Sequence, residues 1–185
     1  MIEEKIVDKN KQRNEIIEFS KVCESYYNGE LSIPQYKSLS GGFGTYSERG
    51  HKTGMLRLRI PAGKFILDEI EKYNIERLHI TTNQSIQLHH LAPSVITDVM
   101  LEAFDFGITT RGGGGDNPRN VLCSPLSGVE KGEYFDVMPY AKAVSDYLTG
   151  LIGTIKLPRK LKVAFSNSIE NIPHATYRDM GFVAN

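Results

Sequence analysis

Apolar residues recur with a helical period from Asn10 to Tyr27, placing Ile16, Phe19, Cys23 and Tyr26 on one face, and Gly29 supplies a stop. This predicts an amphipathic opening helix. Ser32 to Ser40 predicts a second, short helical piece, after which Gly41, Gly42 and Gly44 predict an irregular arm ending near Gly50. The period then changes to two. Met55 to Ile60 alternates strictly, with Leu56, Leu58 and Ile60 on one face of a half-buried strand and Arg57 and Arg59 on the other. Pro61-Ala62-Gly63 ends that strand, Lys64 to Tyr73 reads as helix, and Leu78 to Thr82 returns to strand. Ser85 to His89 alternates again, with Ser85, Gln87 and His89 sharing a face. Pro93 opens a helix packed through Ile96, Val99, Met100 and Ala103, Gly107 closes it, and Ile108 to Thr110 reads as a last short strand. Strand, helix, strand, strand, helix, strand is the βαββαβ order of a ferredoxin-like split βαβ unit.

Beyond it, Arg111 to Gly128 begins with four consecutive glycines and continues through Asp116-Asn117-Pro118, which is turn chemistry, to Arg119. A backbone without Cβ atoms can take left-handed conformations and lie against a large flat ligand, or it can be a flexible surface linker. Arg119 to Cys123 reads as strand, Asp136 as the N-cap of a helix running to Gly150, and Leu161 to Phe165 and Met180 to Val183 as further strands. The fold class expected is therefore α+β in three parts: a helical arm over 1–50, the ferredoxin-like half-domain over 51–111, and a second α+β unit over 112–185.

Composition narrows the function. With 22 basic and 22 acidic residues the formal charge is zero, so no global field recruits nucleic acid or an anionic membrane, and any anion site is local. Two cysteines outside any CxxC spacing indicate buried thiols rather than a disulfide scaffold or a metal site. No apolar run approaches the ~18 residues of a membrane span and the first ten residues hold no signal-like core, so the expected location is cytoplasmic.

Against that neutral balance, three polar pairs at spacing two stand out: Arg57 with Arg59, Gln87 with His89, and Lys160 with Lys162. Each pair alone is what a solvated sheet face shows. Together with Arg119 they would repel one another unless an anion lay between them, and charge-assisted hydrogen bonds to such an anion contribute roughly 1.5–3 kcal/mol each. A nucleic-acid binder of the same strand order would stack bases on central aromatic residues, but Arg, Gln and His stand there. A polycarboxylate cofactor or a small oxyanion fits better, and the glycine run lacks the Lys-Ser/Thr ending of a nucleotide phosphate loop.

Four ordered motifs carry a resemblance: Gly54-Met55-Leu56-Arg57-Leu58-Arg59-Ile60-Pro61, Thr81-Thr82-Asn83-Gln84-Ser85-Ile86-Gln87-Leu88-His89, Gly115-Asp116-Asn117-Pro118-Arg119-Asn120-Val121 and Leu157-Pro158-Arg159-Lys160-Leu161-Lys162. From about Gly44 to its last residue the chain resembles the sirohaem-dependent sulfite and nitrite reductases. The resemblance implies six-electron reduction of sulfite to sulfide, or of nitrite to ammonia, on a sirohaem coupled to a 4Fe-4S cluster, with a ferredoxin or a flavoprotein as donor and no nucleic-acid or membrane partner. It assigns Arg57, Arg119, Lys160 and Lys162 to the oxyanion and its protons, and Arg59, Gln87, His89 and Asn120 to the sirohaem. In the family an arginine usually stands where Asn83 does here, and the four cluster cysteines lie in a later half. By the resemblance, then, 112–185 is the start of a sirohaem-binding domain, the chain is part of a longer reductase, and alone it is inactive. Lys162 beside Lys160 leans slightly toward sulfite. The rival readings are a non-catalytic ferredoxin-like module that binds nucleic acid or regulates, and a relative that acts on the tetrapyrrole as substrate.

Overall fold

The computed structural model describes residues 8–60, 72–73 and 75–185, and the helix expected from Lys64 falls outside that set. Helix α1 spans Lys9–Tyr27 and is capped by Asp8, whose carboxylate accepts from Lys11 N at 3.0 Å. Its four expected apolar residues, Ile16, Phe19, Cys23 and Tyr26, are all buried. Helix α2, Ile33–Ser40, starts with a capping box in which Gln35 Oε1 accepts from Ser32 N at 2.9 Å. A 3-10 turn, Gly41–Phe43, then leads to a left-handed Gly44.

Where the sequence predicted an irregular arm, the chain forms an edge strand instead. Strand β1, Thr45–Ser47, pairs antiparallel with β2, Gly54–Arg59, setting Thr45 opposite Leu56 and Tyr46 opposite Met55. Three residues are too few for a period of two to be read, and flanking glycines mask them. Strands β3, Arg77–Ile80, and β4, Ser85–Leu91, complete a four-stranded antiparallel sheet of order β1-β2-β4-β3. Between the Gly54–Leu91 and Leu56–Leu88 pairs β4 carries one extra residue, a bulge accommodated by the left-handed His90, φ 61°.

The strand expected over Ile108–Thr110 shrinks to a single bridge, Thr109 to Arg59. Its edge of β2 is already shared: Arg57 N donates to Gly44 O and Arg59 N to Thr109 O. Leu56, Leu58, Ile60, Ile86 and Leu88 face one core with α1, α2 and helix α3, Ile96–Asp105. Burying each such side chain is worth about 1.5–3 kcal/mol. That commitment turns Arg57, Arg59, Ser85 and Gln87 to the opposite face together, since cross-strand partners point the same way. The arm is thus part of the same core as the sheet.

The second unit is a three-stranded parallel sheet, β5-β6-β7, of Leu122–Cys123, Val163–Ser166 and Met180–Val183. Helix α4, Met138–Gly150, crosses between β5 and β6 and packs Val137, Ala141 and Leu148 against Val121, Cys123, Val163 and Phe165. The expected cap moves by one residue. Val137 is the N-cap, while Asp136 Oδ1 accepts from Met138 N at 2.9 Å and Ser127 Oγ accepts from Val137 N at 2.8 Å.

Candidate functional site

Two joints, among others, bring the sheets together. Arg119 N donates to Leu161 O at 2.8 Å, and Pro118 bridges Leu161 in parallel, so the segment carrying Arg119 runs beside the one carrying Lys160 and Lys162. The Gln84 side chain makes the second joint, donating from Nε2 to Cys123 O at 2.6 Å and accepting from Cys123 N at 3.0 Å as a strand neighbour would. The result is a cleft of about 140 Å³ lined by Arg57, Arg59, Thr81, Asn83, Ser85, Gly113, Arg119, Asn120, Lys160 and Lys162. At roughly 30 Å³ per water molecule, it has room for a small oxyanion and a few waters. The structure therefore gathers six of the eight candidate site residues, the five cations and Asn120, and leaves Gln87 and His89 outside.

The glycine run is a packed turn rather than a free linker. Gly112, Gly113 and Gly114 are buried against the protein itself. Gly112 takes φ 70°, and a Cβ on Gly114 would collide with the Tyr46 hydroxyl oxygen and lie 2.6 Å from its Cζ and Cε2. The run forms a turn whose carbonyls hold the arginines. Gly113 O accepts from Nη1 of both Arg57 and Arg119, the latter at 2.7 Å, and Gly115 O accepts from Arg119 Nη2 at 3.0 Å. From outside, Arg111 braces the turn by an ion pair with Glu15 of α1 at 2.8 Å and by lying over the Phe43 ring.

Arg59 lines the cleft and also holds backbone. It is fully buried, donating to Arg111 O at 2.7 Å and Arg119 O at 3.1 Å, so its two terminal nitrogens hold the backbone on either side of the turn. Burial, and then the charge of Arg119, pull its pKa down to about 10, still well above neutrality. Burial likewise lowers Arg57 and Arg119, and for Arg57 the neighbouring Arg119 adds to the effect. Among the described residues, no acidic side chain lines the cleft. Backbone carbonyls accept from terminal guanidinium nitrogens without cancelling their charge, so the positive potential stays available to an anion.

Asn120 also turns inward to structure: its Nδ2 donates to Ile60 O, Asn83 O and Gln84 O at 3.2, 3.1 and 2.8 Å. Asn83 answers by donating to Asn120 O at 2.9 Å. Gln87, opposite Arg57, lies on the same sheet face just beyond the cleft. His89 is farther along that face, outside the cleft, with Nδ1 2.8 Å from Glu48 Oε1. Glu48 is held below the usual carboxylate range by hydrogen bonds from His89, Thr53 and the His90 N–H, which outweigh its burial. Sequence reasoning missed Tyr46, Gln84, Glu15 and Glu48. Gln84 stood inside a quoted motif, whereas the other three carried no local signal.

Two family models match the chain in order: the nitrite/sulfite reductase ferredoxin-like half domain over residues 47–103, and the nitrite and sulphite reductase 4Fe-4S domain over 114–185. The chain belongs to the nitrite and sulfite reductase family. It is 30% identical over 141 residues to the ferredoxin–nitrite reductase of Leptolyngbya laminosa, covering 70% of this chain and 28% of that protein. With the ferredoxin–nitrite reductase of Synechococcus elongatus it shares 31% over 140 residues, 69% of this chain and 27% of that one. The chain thus spans a little over a quarter of the length of these relatives. In fold it resembles the Mycobacterium tuberculosis NirA protein, with a TM-score of 0.72 and 21% identity over 96% of this chain and 38% of that one. Dissimilatory sulfite reductase I matches less closely, at 0.55 and 15% over 70% of this chain and 32% of that one.

The family resemblance brings with it an anionic tetrapyrrole and an oxyanion. The residues present fit such groups: the lining is cationic, and the buried Nε atoms of Arg59 and Arg119 have no acceptor within the protein. The sheet face between them offers no stack of aromatic residues for bases, since Tyr46 is engaged with the glycine turn. Among the described residues no helix is long and apolar enough to cross a membrane.

Proposed function

We propose that this chain is the oxyanion-gathering portion of a reductase that takes nitrite or sulfite through six electrons, with a sirohaem and a 4Fe-4S cluster as cofactors and a ferredoxin as donor. A single observation carries the reading: two guanidinium groups, Arg57 and Arg119, converge on one carbonyl in a cleft with no acidic lining among the described residues. Such crowding costs Coulomb energy that a bound anion would recover. The names of the curated relatives support nitrite and ferredoxin. Sulfite stays within the reading because Lys160 and Lys162 are both present at the cleft. The proposed organisation is an arm over 1–50 that lends β1 to the sheet and shares its core, the ferredoxin-like unit over 51–111 and the cofactor unit from 112 onward.

In this reading Arg57 and Arg119 orient the oxyanion and stabilise the charge it accumulates. Lys160 and Lys162 hold protons at Nζ and pass them to each oxygen as it leaves. Arg59 and Asn120 act through the backbone they fix, while Gln87 and His89 would hold the tetrapyrrole along the open sheet face. A sirohaem coupled to a cluster supplies the electrons when bound. The cluster's ligands come from outside these residues, because the chain holds two cysteines, both buried thiols that burial raises to about 11.

The test is titration of sulfite and of nitrite into wild type and Arg119→Ala. The variant should bind about ten- to a hundredfold more weakly, the loss of one or two charge-assisted hydrogen bonds, with its unfolding transition retained. Equal affinity for both anions would remove the assignment. Salt-sensitive binding of single-stranded RNA at the same face would replace it with the nucleic-acid reading.

A further inference from the structure

Resting on the anion-site reading above, we infer that Tyr46 is a positioning residue that sets the spacing of the Arg57 and Arg119 guanidinium groups. Tyr46 comes from edge strand β1, opposite Met55, and so projects on the same face as Arg57. Its hydroxyl oxygen accepts from Gly115 N at 2.6 Å. The hydroxyl end of its ring fills the space that a Cβ at Gly114 would need. Those two contacts grip the glycine turn at its middle. One residue to either side of Gly114, the carbonyls of Gly113 and Gly115 take both terminal nitrogens of Arg119, and Gly113 O takes Arg57 as well. Tyr46 therefore touches neither guanidinium through a hydrogen bond, yet fixes the two carbonyls on which both depend.

A purely space-filling phenol would leave the turn where it is when only the hydroxyl is lost. A positioning phenol would not. Without the Gly115 N–H bond the turn is free to rotate, the shared carbonyl at Gly113 moves, and two like charges are no longer held at one distance. The absence of a side chain at position 114 has the same origin, since ring and turn are built as one unit.

The experiment uses the 15N-labelled chain, titrated with sulfite and separately with nitrite, and follows the Gly115 amide and the Arg57 and Arg119 Nε–H signals. Tyr46→Phe keeps the ring and removes one hydrogen bond. The expected result is three- to tenfold weaker binding of both anions, faster Gly115 amide exchange and displaced guanidinium signals. Unchanged affinity with unmoved Arg119 signals would overturn the assignment while leaving the anion site standing. Failure of the wild-type chain to bind either anion would overturn the site reading and this assignment with it.

A second cycle guards against a variant that folds poorly. Gly114→Ala should weaken anion binding by tenfold or more in the wild-type background. Once Tyr46→Ala has emptied the ring's space, adding Gly114→Ala should cost less than twofold. Fully additive penalties would show that ring and turn are not coupled, and would reject the proposal.

Discussion

The two sheets of this molecule present their cations by opposite means. In the antiparallel sheet, Arg57 and Arg59 sit on a strand whose alternate residues are locked into a core, so the register that buries Leu56 and Leu58 also fixes both arginines. In the parallel unit, Lys160 and Lys162 flank Leu161 just ahead of β6, joined to the rest by the backbone of Asn117 to Arg119. Lys160 is exposed. A guanidinium held by carbonyls is placed before any ligand arrives, whereas a flexible ammonium keeps its rotamer freedom until one does. The first sheet therefore fixes its cations in advance, and the second leaves the Lys160 ammonium free to rotate.

Arg59→Met is the strongest way to break that comparison. It leaves the carbonyls of Arg111 and Arg119 without their donor, so unfolding in urea should show a loss of about 3 kcal/mol, well beyond that of Arg57→Met. Similar losses from the two variants would mean that Arg59 is not the keystone. Next in size is the contrast between arginine and lysine at the cleft. Arg119→Ala should cost about 1.5–3 kcal/mol of anion binding. Lys160→Ala should cost less than about 1 kcal/mol, and that cost should fade with added salt. Calorimetric titration at two salt concentrations reads both, and a lysine effect as large and as salt-resistant as that of Arg119 would erase the distinction.

Glu15→Gln removes the arm's brace on Arg111 and should lower stability by about 0.5–1 kcal/mol, visible as a small shift in the urea midpoint. An unchanged midpoint would detach the arm from the site. The smallest effect compares the two cores through Cys23 and Cys123. Burial raises both thiols to about 11, so between pH 9 and 11 the folded chain keeps protons that the unfolded chain loses. Stability should fall as pH rises through that window, by well under 1 kcal/mol just above pH 9. Replacing both cysteines with alanine should flatten the profile between pH 9 and 10, below the range where the buried Tyr27 and Tyr36 hydroxyls, also raised, add their own slope, and a slope that persists there would place the titrating groups elsewhere.

Much of the site was legible because it lies on periodic elements. Leu56, Leu58 and Ile60 alternate with Arg57 and Arg59, so the face carrying the arginines followed from the face that had to be buried. Arg119 was visible for a different reason, a cation directly behind a turn that no regular element could occupy. That Arg59 and Asn120 also hold backbone carbonyls was not legible, since a polar residue on a polar face looks alike whether it meets solvent, ligand or a buried carbonyl. Three residues of β1 gave no period to read, and with them Tyr46 was lost.

The sequence by itself determined the α+β class, the facing of the first sheet, the family and the identity of the cations, all of which depend on local period and residue type. Tertiary structure alone decided that the glycine turn is packed rather than free, that Arg59 serves the backbone, that Gln84 stitches the sheets, and that Arg57 and Arg119 meet on Gly113. Each of those is a contact between residues far apart in the chain, set by how two cores pack against each other, and no window of sequence contains both partners.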